Sequence, residues 1–152
     1  MDTETYPNEK VARVLNESFV PLKLVLSEIP QLAKKFNVAW TPTFLVVDSA
    51  EAVHSRSVGW LPPDEFKAEL DVALGLAFFQ TGNYGEAKAR FDHVIQHHPK
   101  ALSAADALYW YGVADYRATG QKETLLKSWN RIIDLHPNHP WATKVSFLRR
   151  KA

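Results

Sequence analysis

The chain has 152 residues, a formal net charge of +1 with its histidines neutral, and no cysteine. It therefore holds no disulfide, no thiol nucleophile and no zinc–thiolate site. Acidic and basic residues are interspersed apart from Arg149-Arg150-Lys151, which reads as a solvated terminus, so there is no clustered basic face for nucleic acid. No apolar run approaches the ~20 residues of a membrane span. The acidic, polar start Met1-Asp2-Thr3-Glu4 is not a signal peptide. The length fits one ordinary domain or two small ones, and the aromatic residues supply material for a sizeable core.

Asn8 is a plausible N-cap, with apolar Val11, Val14 and Leu15 behind it at helical spacing. This predicts a helix to about Asn16. Phe19 to Leu26 reads as a strand whose entry is marked by Pro21. Ser27 to Phe36 reads as a helix with Pro30 in its first turn and Ile29, Leu32, Ala33 and Phe36 on its apolar face. Thr43 to Val47 is a continuous β-rich apolar run, and Val53 to Val58 follows as a hairpin partner ended by Gly59. Pro62-Pro63-Asp64 opens a helix. No breaker follows before Gly82, so this helix is expected to continue through Gly75 and tie the two halves of the chain together rigidly.

This first half resembles the thioredoxin family. The resemblance rests on Val38, on Thr41-Pro42-Thr43 entering an apolar strand that ends in Asp48, on the hairpin, and on Gly59 before the last helix. It implies a cis peptide bond at Pro42 and an apolar peptide-binding surface at two turns, formed by Trp40, Thr41, Pro42, Gly59 and Trp60. The chain departs from the family in lacking the first strand and the Cys-x-x-Cys motif, so Met1 reads as an internal methionine, a misassigned start or a truncation point. Redox chemistry needs an attacking thiolate, so no disulfide reductase activity is expected of this chain. A sheet without that central strand exposes two edges, and a homodimer, or a sheet that pairs Phe19–Leu26 with the hairpin, is expected to cover them.

The second half carries a near-repeat 38 residues long. Gly82 recurs as Gly120, Phe91 as Trp129, and His98-Pro99 as His136-Pro137. A period in this range marks stacked helical hairpins. Leu74-Gly75, Phe78, Gly82, Tyr84, Ala87, Phe91 and Pro99 resemble the tetratricopeptide repeat, with Asp71 where a Trp is frequent. The second unit is looser. It has a helix from Ala105 to Thr119 with Gly112 at the helix contact, then a helix with Leu125, Leu126, Trp129, Ile132 and Ile133 on its core face. Repeats extended in this way resemble those of bacterial cell-envelope assembly factors. Trp141 to Arg150 reads as a capping helix with Trp141, Val145 and Leu148 facing the array.

His93 and His97 stand at i, i+4, a spacing that can hold a metal, but no third ligand accompanies them in a motif, so they read as solvated. His98 and His136, each ahead of a proline, read as helix C-terminal residues. Glu65, Glu69, Asp71 and Glu86 read as solvated faces, and at least one of Tyr109, Trp110, Tyr111 and Tyr116 is expected on the surface.

The fold class expected is α+β followed by all-α. An incomplete thioredoxin-like α/β half-domain spans residues 1–70, and a tetratricopeptide-like helical array spans 71–152. The function expected is a protein-interaction module that holds a polypeptide client, with redox homeostasis as its context. The alternatives are a fragment of a thiol–disulfide oxidoreductase whose Cys-x-x-Cys lies upstream, and a structural assembly subunit. No cofactor and no metal are expected. The compartment reads as cytoplasmic, or periplasmic where a leader precedes the chain. The repeat resemblance implies a groove on the concave face, lined by Val72, Leu76, Phe79, Tyr109, Val113, Tyr116 and Arg117.

Overall fold

The computed structural model describes residues 1–151. The chain is mostly helical, with one small antiparallel sheet. It divides into two compact units, Met1–Lys67 and a second from Ala68 onward.

In the first unit, α1 (Glu9–Ser18) begins where the Asn8 carboxamide accepts from the Lys10 and Val11 amides, at 3.0 and 3.3 Å. The cap satisfies two of the orphan donors of the first turn. Val11 faces inward and is fully buried. Strands β1 (Thr43–Val47) and β2 (Val53–Val58) form the expected hairpin, with Thr43 opposite Val58 and a bulge beside Val46/Val47. Asp48 builds the turn. Its carboxylate accepts from the Ala50 and Ala52 amides and meets His54 Nε2 at 2.9 Å. The Ala52 amide first, and the His54 imidazole second, hold this carboxyl below the usual carboxylate range. Tyr6 meets Phe44 and Phe66 edge to face, and the Phe44 and Phe66 rings lie tilted with centroids 4.8 Å apart. The Thr5 hydroxyl donates to the Leu61 carbonyl at 2.7 Å and fixes the N-terminal turn.

Two expectations fail in this unit. Phe19–Leu26 is not a strand. Residues 19–25 form no regular secondary structure, Leu26–Glu28 is a 3₁₀ turn, and the sheet holds β1 and β2 alone among the described residues. Val20 and Leu22 are 90% and 78% exposed. A strand exists only where a partner accepts its ladder, and Pro21 has no donor to offer. The rearranged sheet with Phe19–Leu26 beside the hairpin therefore does not form. The next helix is also shorter than expected. α2 (Pro30–Lys35) starts at Pro30 rather than behind a Ser27 cap, because the pyrrolidine ring suits the first helical position. The Arg56 side chain donates to the Phe36 carbonyl and, at 3.2 Å, to that of Asn37, tying the hairpin to the end of α2.

Helix α3 runs unbroken from Pro63 to Gln80, as the sequence predicts. The second unit stacks its repeat segment with α4 (Tyr84–His97), α5 (Ala104–Thr119) and α6 (Lys122–Leu135). Gly82 and Gly120 turn the chain at φ 81° and 75°, the left-handed region that disfavours a side chain. Gly75 and Gly112 lie at the helix contacts. A Cβ on Gly75 would sit 2.5 Å from Phe91 Cε1, and one on Gly112 would sit 3.1 Å from Ser128 Cβ. The core centres on Phe91, Leu108, Ile132, Val94 and Val145.

The core face of α6 differs from expectation at one place. Leu126 is exposed, and Ser128 is buried with its hydroxyl donating to the Leu108 carbonyl at 2.6 Å. Only a small residue fits opposite Gly112, and its hydroxyl finds a carbonyl there. The C-terminal segment also departs from a continuous helix. α7 (Pro140–Lys144) gives way at Val145 to a 3₁₀ stretch over Ser146–Lys151. Trp141, Val145 and Leu148 nevertheless face the array. Of the terminal basic run, Arg149 is exposed and donates to Asp134 at 2.8 Å.

His98 and His136 occupy matching positions as C-caps of α4 and α6, their backbone amides donating to Val94 and Ile132. Burial, helped by nearby His139, pushes the His136 imidazole below its ordinary value. A base whose folded pKa is depressed binds its proton less readily in the folded than in the unfolded state. Stability of this unit is then complete above the unfolded value of about 6.5 and falls as pH drops below it. The urea midpoint is expected to be lower at pH 5.5 than at pH 7.5, and His136→Gln is expected to flatten that segment of the profile. An identical slope in the variant removes His136 as its source.

Candidate functional site

Each unit carries a surface to which the sequence reading assigns a role. In the first unit, Trp40 and Trp60 are 71% and 51% exposed. The Thr41–Pro42 peptide is cis. The Gly59 amide donates to the Pro42 carbonyl at 2.9 Å, and the Thr43 hydroxyl to the Trp40 carbonyl at 2.6 Å. Because Thr43 pairs with Val58, these bonds bring the two Trp-bearing turns to the same end of the hairpin.

In the second unit, the seven groove positions separate. Val72 is buried in the core and presents no surface, because the stripe it heads turns inward at the start of the repeat. Tyr109 is covered. Its ring stacks between Trp141 at 3.8 Å and Trp129 at 4.9 Å, so the C-terminal segment occupies that end of α5. The Trp141 indole N–H donates to the Asp106 carboxylate at 2.7 Å, and Lys144 lies over the indole at 4.1 Å.

Leu76, Phe79, Val113 and Tyr116 are half-buried, and Arg117 is exposed. Phe79 meets the Trp110 ring at 5.2 Å and the Tyr84 ring at 5.4 Å. Arg117 lies over the Tyr84 ring at 5.2 Å and donates to its hydroxyl at 2.7 Å. Trp110 and Tyr84 join this cluster, although neither is among the positions the repeat resemblance implies. Trp110 stands three residues before Val113 and seven before Arg117, which places all three on one stripe of α5. That spacing was the available signal.

Asp71 is not on a solvated face. It is 3% exposed, with Arg90 Nη1 at 3.3 Å and His93 Nδ1 at 3.0 Å. His93 is consequently engaged rather than merely solvated, and its ring stacks on His97 at 4.4 Å. The Asp115 carboxylate, also buried, accepts from Lys88, and this hydrogen bond raises the Lys88 pKa.

Residues 72–101 and 106–139 match the family described as Tetratricopeptide repeat. The first match takes in the second half of α3 with α4, and the second takes in α5 with α6; the turns and helix contacts of these pairs fit such an array. Neither the curated proteins nor the solved structures gave a match. No helix among the described residues is long and apolar enough to cross a membrane.

Proposed function

We propose that the chain is a protein-interaction module whose helical repeats hold an extended or helical polypeptide segment. The observation that carries this reading is the half-buried aromatic strip Tyr84–Phe79–Trp110, ending at exposed Arg117, inside a matched repeat array. Aromatic residues and Arg dominate the energetics of protein interfaces because they offer large rigid area with few torsions to freeze. Leu76, Val113 and Tyr116 extend the same surface. The first unit is a redox-inactive, thioredoxin-like partner to the array. The order of its hairpin and helix supports that likeness, and the exposed Trp40 and Trp60, with Thr41, Pro42 and Gly59 between them, form a second apolar contact. The open edges of β1 and β2 suit pairing with a second copy.

A random peptide library displayed on phage and panned against the chain tests the groove. Enriched peptides are expected to lose at least tenfold in affinity, about 1.4 kcal/mol, with Tyr116→Ala and with Arg117→Ala. The melting temperature is expected to move by no more than about 2 °C. Failure to enrich any sequence, or peptides indifferent to both substitutions, rejects the reading. A drop of many degrees in both variants makes these residues core and rejects the site.

A further inference from the structure

Asp71, His93 and His98 bring one ligating atom each to within 4.8 Å of one another. Asp71 comes from α3, His93 from the last turns of α4, and His98 from its C-cap. We propose that these three residues bind a divalent first-row transition metal of the zinc class. The proposal is independent of the peptide-binding reading.

The donor set selects the ion. Two imidazoles and one carboxylate suit Zn2+, Co2+ or Ni2+, whereas Ca2+ and Mg2+ take oxygen-rich shells and softer ions take thiolates. The geometry is close to what such an ion needs. Asp71 Oδ2 and His93 Nδ1 stand 3.0 Å apart. An ion about 2.05 Å from each would subtend an angle of about 95°, a modestly compressed tetrahedral value. The ion would take the place of the hydrogen bond between them. A half-buried His98 ring closes the third corner by a side-chain rotation, and the fourth corner is left to water.

The surroundings supply the rest. Asp71 is buried, so its carboxylate is already desolvated and held in place. Arg90 sits on Oδ1 and leaves Oδ2 to the ion. The site lies at the C-terminus of α4, where unsatisfied carbonyls favour a cation. His97 stacks on His93 and bonds the His93 carbonyl through its own Nδ1 at 3.1 Å, which orients the neighbouring ring without supplying a ligand.

The test is isothermal titration of the whole chain with zinc sulfate in a non-chelating buffer. One equivalent is expected to bind and to raise the melting temperature by roughly 5 °C, reversibly on adding EDTA. Titration with cobalt(II) is expected to give the intense visible absorption of a tetrahedral ion. His93→Gln, at an exposed residue, and His98→Ala, at a half-buried one, are each expected to abolish the equivalent while preserving the helical circular dichroism. His97→Ala and Arg90→Ala are expected to retain it. Absence of saturable binding overturns the proposal. Binding that persists in His93→Gln or in His98→Ala overturns it as well, since the ion would then sit on other histidines. If either variant loses its helicity, the cobalt spectrum of the unaltered chain decides, and an octahedral spectrum overturns the site.

Discussion

Phe91→Ala is expected to destabilise the repeat unit by about 3–5 kcal/mol. The ring is fully buried at the centre of the core, and its edge faces the bare backbone of Gly75. Removing it loses the transfer free energy of the ring and leaves a cavity that helices on both sides restrain from collapsing. A domain of this size has a total stability of about 5–15 kcal/mol, so the substitution consumes a large share of it. Urea denaturation followed by circular dichroism reads the effect directly. A loss below about 1 kcal/mol would mean that the ring does not fill this contact.

Gly75→Ala is expected to destabilise as well, although alanine is the better helix former. The gain in propensity is about 1 kcal/mol. Against it, the new Cβ would stand 2.5–2.8 Å from three atoms of the Phe91 ring, which is buried and has nowhere to go. Overpacking of this kind costs typically 1–3 kcal/mol. The clash is expected to prevail by about 1 kcal/mol. The sign is expected to reverse in a Phe91→Leu background, where the narrower side chain leaves room and the propensity gain remains. A double-mutant cycle on urea midpoints measures this coupling. Additive effects would show that Gly75 and Phe91 do not share the contact.

The parts of the fold legible in the sequence were those written in local chemistry. Asn8 could be recognised as a cap because its side chain satisfies amides two and three residues away. Gly82 and Gly120 could be recognised as turns because they take a φ that other residues avoid. The resemblance to the tetratricopeptide repeat then placed Gly75 and Gly112 at helix contacts. What escaped depends on residues distant in the chain. The Phe19–Leu26 segment reads as a strand, but pairing is a property of two segments, and none pairs with it among the described residues. Asp71 reads as a surface carboxylate until Arg90 and His93, 19 and 22 residues further on, are seen to meet it. Ser128 reads as a surface hydroxyl until the Leu108 carbonyl, 20 residues back, is seen to accept from it. The stacking of Tyr109 against Trp129 and Trp141 was likewise illegible, because a stripe of aromatic residues does not say which of its members a later segment will meet.

The sandwich of Tyr109 between Trp129 and Trp141 gives the chain an optical handle of its own. Rings stacked at 3.8 and 4.9 Å with small interplanar angles couple their excited states. Such coupling gives a near-ultraviolet dichroic band that isolated indoles lack. Trp129 belongs to α6 and Trp141 to the segment that follows it, so the Trp141 contribution to the band is lost when that segment leaves α5 while the Tyr109–Trp129 contribution stays. The attachment and release of the chain's last stretch can thus be followed in unlabelled protein, separately from the far-ultraviolet signal of the helices as a whole.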